Sequence, residues 1–256
     1  LNKPVISFPH STEEYPISRF TPRSSRYNKN VSTDKTKFNL EKPNAVNCAF
    51  GIDVYKTRCF NWVSAGEFDE FLWIKDNNTW KKFESYKAIT SKITESEVYP
   101  RRKEFEVDTN NTIYSRLIGN FPGCNIHYTA HKCIIDVVES YVSSPITYTY
   151  VVGRADTKNP NIPDQDHVSE EYTFTLYPET YKPRVFLTTD QQGFHWIEYQ
   201  VWSAAANFLS NKITTTIENE GNIFPVLLNT GDMTQNGTRV NEWLDYFNGG
   251  HSLLNH

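Results

Sequence analysis

Two aspartates raise the first chemical question. Asp190 follows the apolar run Val185-Phe186-Leu187-Thr188-Thr189, and Asp232 closely follows a second run, Ile223 to Asn229. Each acid therefore stands just past a stretch that reads as a buried strand. If the strands lie side by side and parallel, both carboxylates reach the carboxyl edge of one sheet, where open α/β sheets hold their ligands. Paired carboxylates suit hard or borderline divalent cations. Two such ions about 3.5 to 4 Å apart polarise a phosphoryl group and ionise a water for in-line attack, which is hydrolase chemistry. Spacing alone leaves another reading open, because an Asp after a strand is also a common helix N-cap. His195, five residues beyond Asp190, reads as an exposed or capping histidine.

The elements that must position these residues are legible around them. Ile197, Val201, Ala204, Ala205, Phe208 and Leu209 fall at helical spacing between the two apolar runs, which predicts a β-α-β crossover and a parallel sheet. A second helix is predicted from about Thr238, with Val240, Trp243, Leu244 and Phe247 on one face and Gly249-Gly250 ending it. Upstream, Val46, Cys48, Phe50, Ile52 and Val54 alternate with smaller or polar residues, the period of a half-buried strand. Further strands are expected at Cys59 to Ser64, Phe71 to Ile74, Trp80 to Phe83, Phe105 to Val107, Ile126 to Thr129, Lys132 to Val138, Thr147 to Gly153 and Tyr172 to Leu176. The predicted fold class is mainly β with α/β: an antiparallel β-sandwich over residues 45–180, then a crossover unit over 181–256. A two-stranded parallel piece cannot cover both its faces, so residues 184–256 are expected to belong to a longer chain or to dock on a neighbour.

Residues 1–44 read as an extended basic arm. Arg19, Arg23, Arg26, Lys29, Lys35 and Lys37 meet only Asp34, so the segment reads either as a surface for an acidic neighbour or as a solvated leader. Over the whole 256 residues, 26 Lys and Arg oppose 30 Asp and Glu, and a net charge of -4 excludes general attraction to nucleic acid or anionic membrane. No apolar run approaches the roughly 18 residues of a membrane span. The start, Leu1-Asn2-Lys3-Pro4-Val5, has neither an initiator Met nor the apolar core of a signal peptide and is expected to be cut or processed. Cys48, Cys59, Cys124 and Cys133 lack C-x-x-C spacing and are expected to be buried free thiols, with no zinc site. His127 and His131 would stand about 13 Å apart along a strand, too far to share a metal without a bend. His251 and His256 read as surface histidines, and the Asn-x-Ser/Thr matches as chance in an Asn-rich chain.

Gly231-Asp232-Met233-Thr234-Gln235-Asn236-Gly237 resembles the Gly-Asp block of the calcineurin-like metallophosphoesterases, and Asp190-Gln191-Gln192 resembles their first block, an Asp-x-His in most members. Gln192 stands where that histidine usually stands, and an amide oxygen can still ligate; the resemblance also implies His195 as a substitute ligand and Asn236 or Gln235 as a contact for substrate phosphate. The stretches Cys124 to Ile135, Thr147 to Gly153 and Tyr172 to Thr175 are similar to the last strands of a fibronectin type III-like domain, which purple acid phosphatases place directly before their catalytic domain. The resemblance spans roughly residues 45–256 and makes Tyr148 or Tyr150 a candidate tyrosine corner. It implies a fibronectin III-like sandwich followed by the first unit of a truncated metallophosphoesterase α/β sandwich. It also implies two divalent or Fe/Zn/Mn-type metal ions, Asp190 ligating one and Asp232 bridging both, with metal-held water as nucleophile. The family's later Gly-Asn-His and His blocks are absent, so the centre is expected to be incomplete and inactive within these residues. The rival expectation is a structural or adhesion component of a large assembly, a virion included, that keeps a degenerate phosphoesterase-like scaffold and contacts neighbouring subunits through residues 1–44. Extracellular or virion-associated placement is the expected location.

Overall fold

The computed structural model describes residues 40–89, 127–192, 196–235, 237 and 240–256. Residues 1–39 of the expected arm and the strand at Phe105 to Val107 lie outside them, as do Cys124, His195 and Asn236. Among the described residues the chain is mainly β, with antiparallel sheets and few helices.

The strands are β1 (Asn44–Phe50), β2 (Thr57–Ala65), β3 (Phe71–Asp76), β4 (Thr79–Glu84), β5 (Tyr86–Ile89), β6 (Tyr128–Asp136), β7 (Ile146–Ala155), β8 (Pro163–Val168), β9 (Tyr172–Leu176), β10 (Lys182–Thr188) and β11 (Ile223–Asn229). The helices are α1 (Trp196–Glu220), α2 (Val240–Gly249) and α3 (His251–Leu254). One antiparallel sheet runs β1-β2-β6-β5 and the other β4-β3-β7-β8, with β9 also on β7.

The two sheets face a shared core because their strands alternate with period two. On β2 the residues Phe60 and Trp62 point inward, and they meet Leu72, Ile74, Tyr150, Val152, Phe174 and Leu176 of the other sheet. The Phe60 ring lies edge-on to Tyr150 at 4.9 Å and to Phe174 at 5.3 Å, an aromatic arrangement that locks the two layers. One end of this core is polar. The Trp62 indole donates to Glu70 at 2.8 Å and stacks on His131, whose Nε2 meets the Ser64 hydroxyl at 2.9 Å and whose Nδ1 meets that of Ser85 at 3.2 Å. His131 is therefore a satisfied core residue. Burial pushes its imidazole down to about 4.

Several expectations change in detail. The β1 alternation stops at Phe50, because the Asp53 carbonyl accepts the Lys56 and Thr57 N–H groups and turns the chain, leaving Ile52 fully exposed. The two strands expected at Ile126 to Thr129 and Lys132 to Val138 are one, β6, paired without a break along β2 from Thr57↔Asp136 to Ala65↔Tyr128. β5 and β8 were not expected: all four residues of β5 are exposed, and β8 carries Asp164, Gln165 and Asp166, so neither shows an apolar period. Cys48, Cys59 and Cys133 are free thiols, with only Cys133 fully buried.

β10 and β11 pair in parallel, from Lys182↔Ile223 to Thr188↔Asn229, and α1 connects them in the chain. Their covering is partial, since Val185, Leu187 and Leu228 stay exposed. Tyr199, Trp202 and Ala206 of α1 pack with Tyr246 of α2 and Leu253 of α3, and a Cβ on Gly250 would stand 2.7 Å from the Trp202 indole nitrogen, so this crossing needs glycine. The body of two sheets meets α2 and the start of β11. The Asn248 side-chain oxygen accepts the Ala45 N–H at 2.7 Å, and Phe224 of β11 sits among Phe50, Tyr55 and Tyr177 at 5.7 to 5.9 Å. Tyr150 departs from the tyrosine-corner expectation: its phenol does donate to a backbone carbonyl, but to that of Asn255 in the chain's last turn, at 2.9 Å.

Candidate functional site

Parallel pairing in register brings the ends of β10 and β11 level, and the ladder continues past the strands. Thr230 N–H donates to the Thr188 carbonyl at 2.9 Å, and Asp190 N–H donates to the Gly231 carbonyl at 3.3 Å. Asp190 thus lies beside Gly231, with Asp232 one residue on. Both acids adopt the left-handed backbone conformation, φ 59° at Asp190 and φ 53° at Asp232. That region costs an L-residue about 1 to 2 kcal/mol and is most tolerable for Asn and Asp, whose short polar side chains bond locally. Two such residues, one at each of two neighbouring strand ends, mark a place where the surrounding structure holds strain. Both side chains are exposed, and among the described residues neither carboxylate has a hydrogen bond or ion pair.

Asn229 fixes the second loop. Its side-chain oxygen accepts the Gly231 N–H at 2.8 Å, while its amide nitrogen donates to Gln191 Oε1 at 2.8 Å and to the Tyr246 hydroxyl at 3.0 Å. One side chain thereby ties the loop before Asp232 to the loop after Asp190 and to α2. Tyr199 adds a bond from its hydroxyl to the Met233 carbonyl at 3.2 Å. Sequence reasoning passed over Asn229, although an Asn two residues before a glycine at a strand end is an Asx-turn signal. It also missed Glu242 and Asp245, both buried on α2; burial, with Glu242 close by, pushes the Asp245 carboxyl well above the usual range.

Gln192 Oε1 is buried and has no hydrogen-bond partner among the described residues, and Thr188 Oγ1 shares that condition. A buried acceptor left unmet costs about 1 to 3 kcal/mol, so an orphaned amide oxygen two residues beyond Asp190 fits a role as a cation ligand. Two carboxylates and an amide are the all-oxygen donors of a hard cation site. They fit one ion better than two: among the described residues no group of three His, Cys, Asp or Glu side chains stands in a metal-holding arrangement. His251 and His256 bring no ligands, their Nδ1 atoms facing the Asn248 carbonyl at 2.9 Å and the Thr173 carbonyl at 3.3 Å. His256 is exposed as expected, and His251 is half-buried.

No protein-family model matches the chain, and no curated protein matches it either. No helix among the described residues is long and apolar enough to cross a membrane.

Proposed function

We propose that this chain forms part of a metal-dependent phosphoester hydrolase, in which Asp190, Asp232 and the Gln192 amide oxygen hold a divalent cation at the joined ends of β10 and β11. The observation that carries this reading is the pair of left-handed aspartates at the ends of two parallel strands, Asp190 level with Gly231 and bonded to it through the backbone, and Asp232 one residue beyond. When bound, such an ion polarises a phosphoryl group and makes a water nucleophilic near neutral pH. The chain's own part is to concentrate negative charge at one sheet edge and, through Asn229, to hold both loops in place before an ion arrives. A substrate-phosphate contact from Asn236 belongs to the same proposal, as do two-metal chemistry in a more complete protein, a fibronectin III-like identity for residues 45–180 and a metallophosphoesterase identity for 181–256.

A second reading is favoured by the donor count. Two acids and an amide fall short of a two-metal ligand set, which also suits a structural component of a large assembly, extracellular or virion-associated, on a phosphoesterase-like scaffold. Residues 1–44 would then engage neighbouring subunits.

Calorimetric titration of the 256-residue chain with Mn²⁺ separates the two. The hydrolase reading predicts one ion bound weakly, with a Kd of about 10⁻⁴ to 10⁻³ M as in open carboxylate sites, and affinity reduced about tenfold or more in Asp232→Asn. Hydrolysis of p-nitrophenyl phosphate by these residues alone is expected to stay at background. Equal Mn²⁺ affinity in the parent and Asp232→Asn chains would remove the hydrolase reading and leave the scaffold.

A further inference from the structure

Between the body of two sheets and the crossover unit lies a cleft of about 510 Å³, within the size range of small-molecule sites. Its walls are mixed: Phe50, Tyr177, Ile213, Ile217 and Leu227 supply apolar surface, and Ser210, Thr214 and Ser252 hydroxyls interrupt it. Arg58 lines it too, although the residue is only 3% exposed. The guanidinium bridges the sheets by donating from Nη1 to the Val54 and Thr57 carbonyls, both at 2.9 Å, and from Nη2 to the Thr175 carbonyl at 2.8 Å. It also lies 4.7 Å over the Phe50 ring. Those bonds engage three of the five N–H donors that an arginine carries.

What the guanidinium lacks is a counter-ion. No carboxylate among the described residues forms an ion pair with it. Asp53 attracts it from further off, but that carboxylate is already committed to the Tyr55 N–H and the Tyr141 hydroxyl. The other acidic groups beside it are neutral at pH 7: burial pushes the Cys48 thiol up to about 12 and raises the Tyr177 phenol. Carbonyl dipoles and ring faces stabilise a buried cation only in part, and an unpaired charge in an apolar setting is costly.

We propose that this cleft is a binding site for a small anionic amphiphile, whose carboxylate or phosphate head pairs with Arg58 while its apolar body fills the space between Phe50 and α1. A head group there supplies the missing charge and meets the free N–H donors in the paired geometry that arginine favours. An aliphatic body of about ten carbons suits a cleft of this size. The site shares no residue with Asp190 or Asp232 and stands or falls separately from the hydrolase reading.

The test is calorimetric titration of the 256-residue chain with decanoate, decyl phosphate and decanol. The anions are expected to saturate a single site, with decanol at least about tenfold weaker because it cannot form the charge-assisted bond. Arg58→Met is expected to erase that preference. Thr214→Trp, an exposed position on α1 at the mouth of the cleft, is expected to weaken all three ligands by filling the entrance, and it serves where Arg58→Met does not fold. Decanoate binding more tightly than decyl phosphate identifies a carboxylate ligand, and the reverse order a phosphate. Equal affinity for decanoate and decanol, unchanged binding in Thr214→Trp, or no saturable binding of either anion would overturn the proposal.

Discussion

Replacing Trp202 with Ala is expected to destabilise the chain by about 4 kcal/mol, the cost of emptying a large aromatic site in a packed core. Trp202 is 4% exposed and stacks flat on Tyr246, with ring centroids 5.5 Å apart and planes 4° from parallel. Its indole N–H donates to the Tyr246 carbonyl at 2.9 Å, and Gly249 and Gly250 leave their Cβ positions empty to admit the ring. Because Tyr246 also meets Asn229, the loss would travel to the strand ends and loosen the loop before Asp232. Trp202→Phe keeps one ring but gives up both the hydrogen bond and part of the indole's volume, so its loss, expected to be about half that of the Ala variant, sets an upper bound on what the bond contributes. Urea unfolding of the two variants measures both quantities. A loss below about 1 kcal/mol for Trp202→Ala would mean that α1 and α2 do not depend on this contact.

The second large effect concerns acid. His131 has its side chain fully out of solvent, and burial lowers its imidazole from 6.5 to about 4. In the unfolded chain the same ring titrates near 6.5, so below that pH the unfolded state takes up a proton that the folded state refuses. The stability from a neutral His131 is complete above pH 6.5 and is lost as pH falls toward 4, in total about 3 kcal/mol. Its surroundings do not act alike. Lys87 reinforces the downward shift and Asp69 opposes it. Glu70, 3.8 Å from Nε2, has its own carboxyl raised by burial and favours the fold on acidification over the range just above its ordinary value. The difference between the parent chain and His131→Gln isolates the histidine. Urea midpoints from pH 7 to pH 4 are expected to fall less steeply in the Gln variant, by about 3 kcal/mol over the range. Parallel curves would mean that the ring is free to protonate in place.

What could be read beforehand was whatever writes a period into the chain. β11 runs over the Ile223–Asn229 range expected of it, because seven residues between an Asn and a Thr-Gly turn leave little room for another register. The level strand ends and the acids beyond them follow from the same reading. β5 and β8 escaped because edge and surface strands are held by backbone bonds, and their side chains carry no alternation to find. Ile52 misled in the opposite sense: it continued an apolar period, but Asp53 had already turned the backbone. The Tyr150 hydroxyl bond to Asn255 and the Arg58 bridge to Thr175 join positions far apart in the chain, and no local pattern announces such partners. At the candidate site, the position of the acids past the strand ends was legible and the support of their loops was not, since Asn229 works through three hydrogen bonds that only the fold assembles.

A cation shared between the ends of β10 and β11 is tested most directly by Mn²⁺-induced line broadening in the ¹H–¹⁵N spectrum of the isotopically labelled chain. Broadening that begins at substoichiometric Mn²⁺ and strikes the amides of residues 188–192 and 229–233 together, with loss at both ends in Asp190→Asn, is the predicted result. Broadening at one strand end only, or spread over acidic surface remote from both, would contradict a common site.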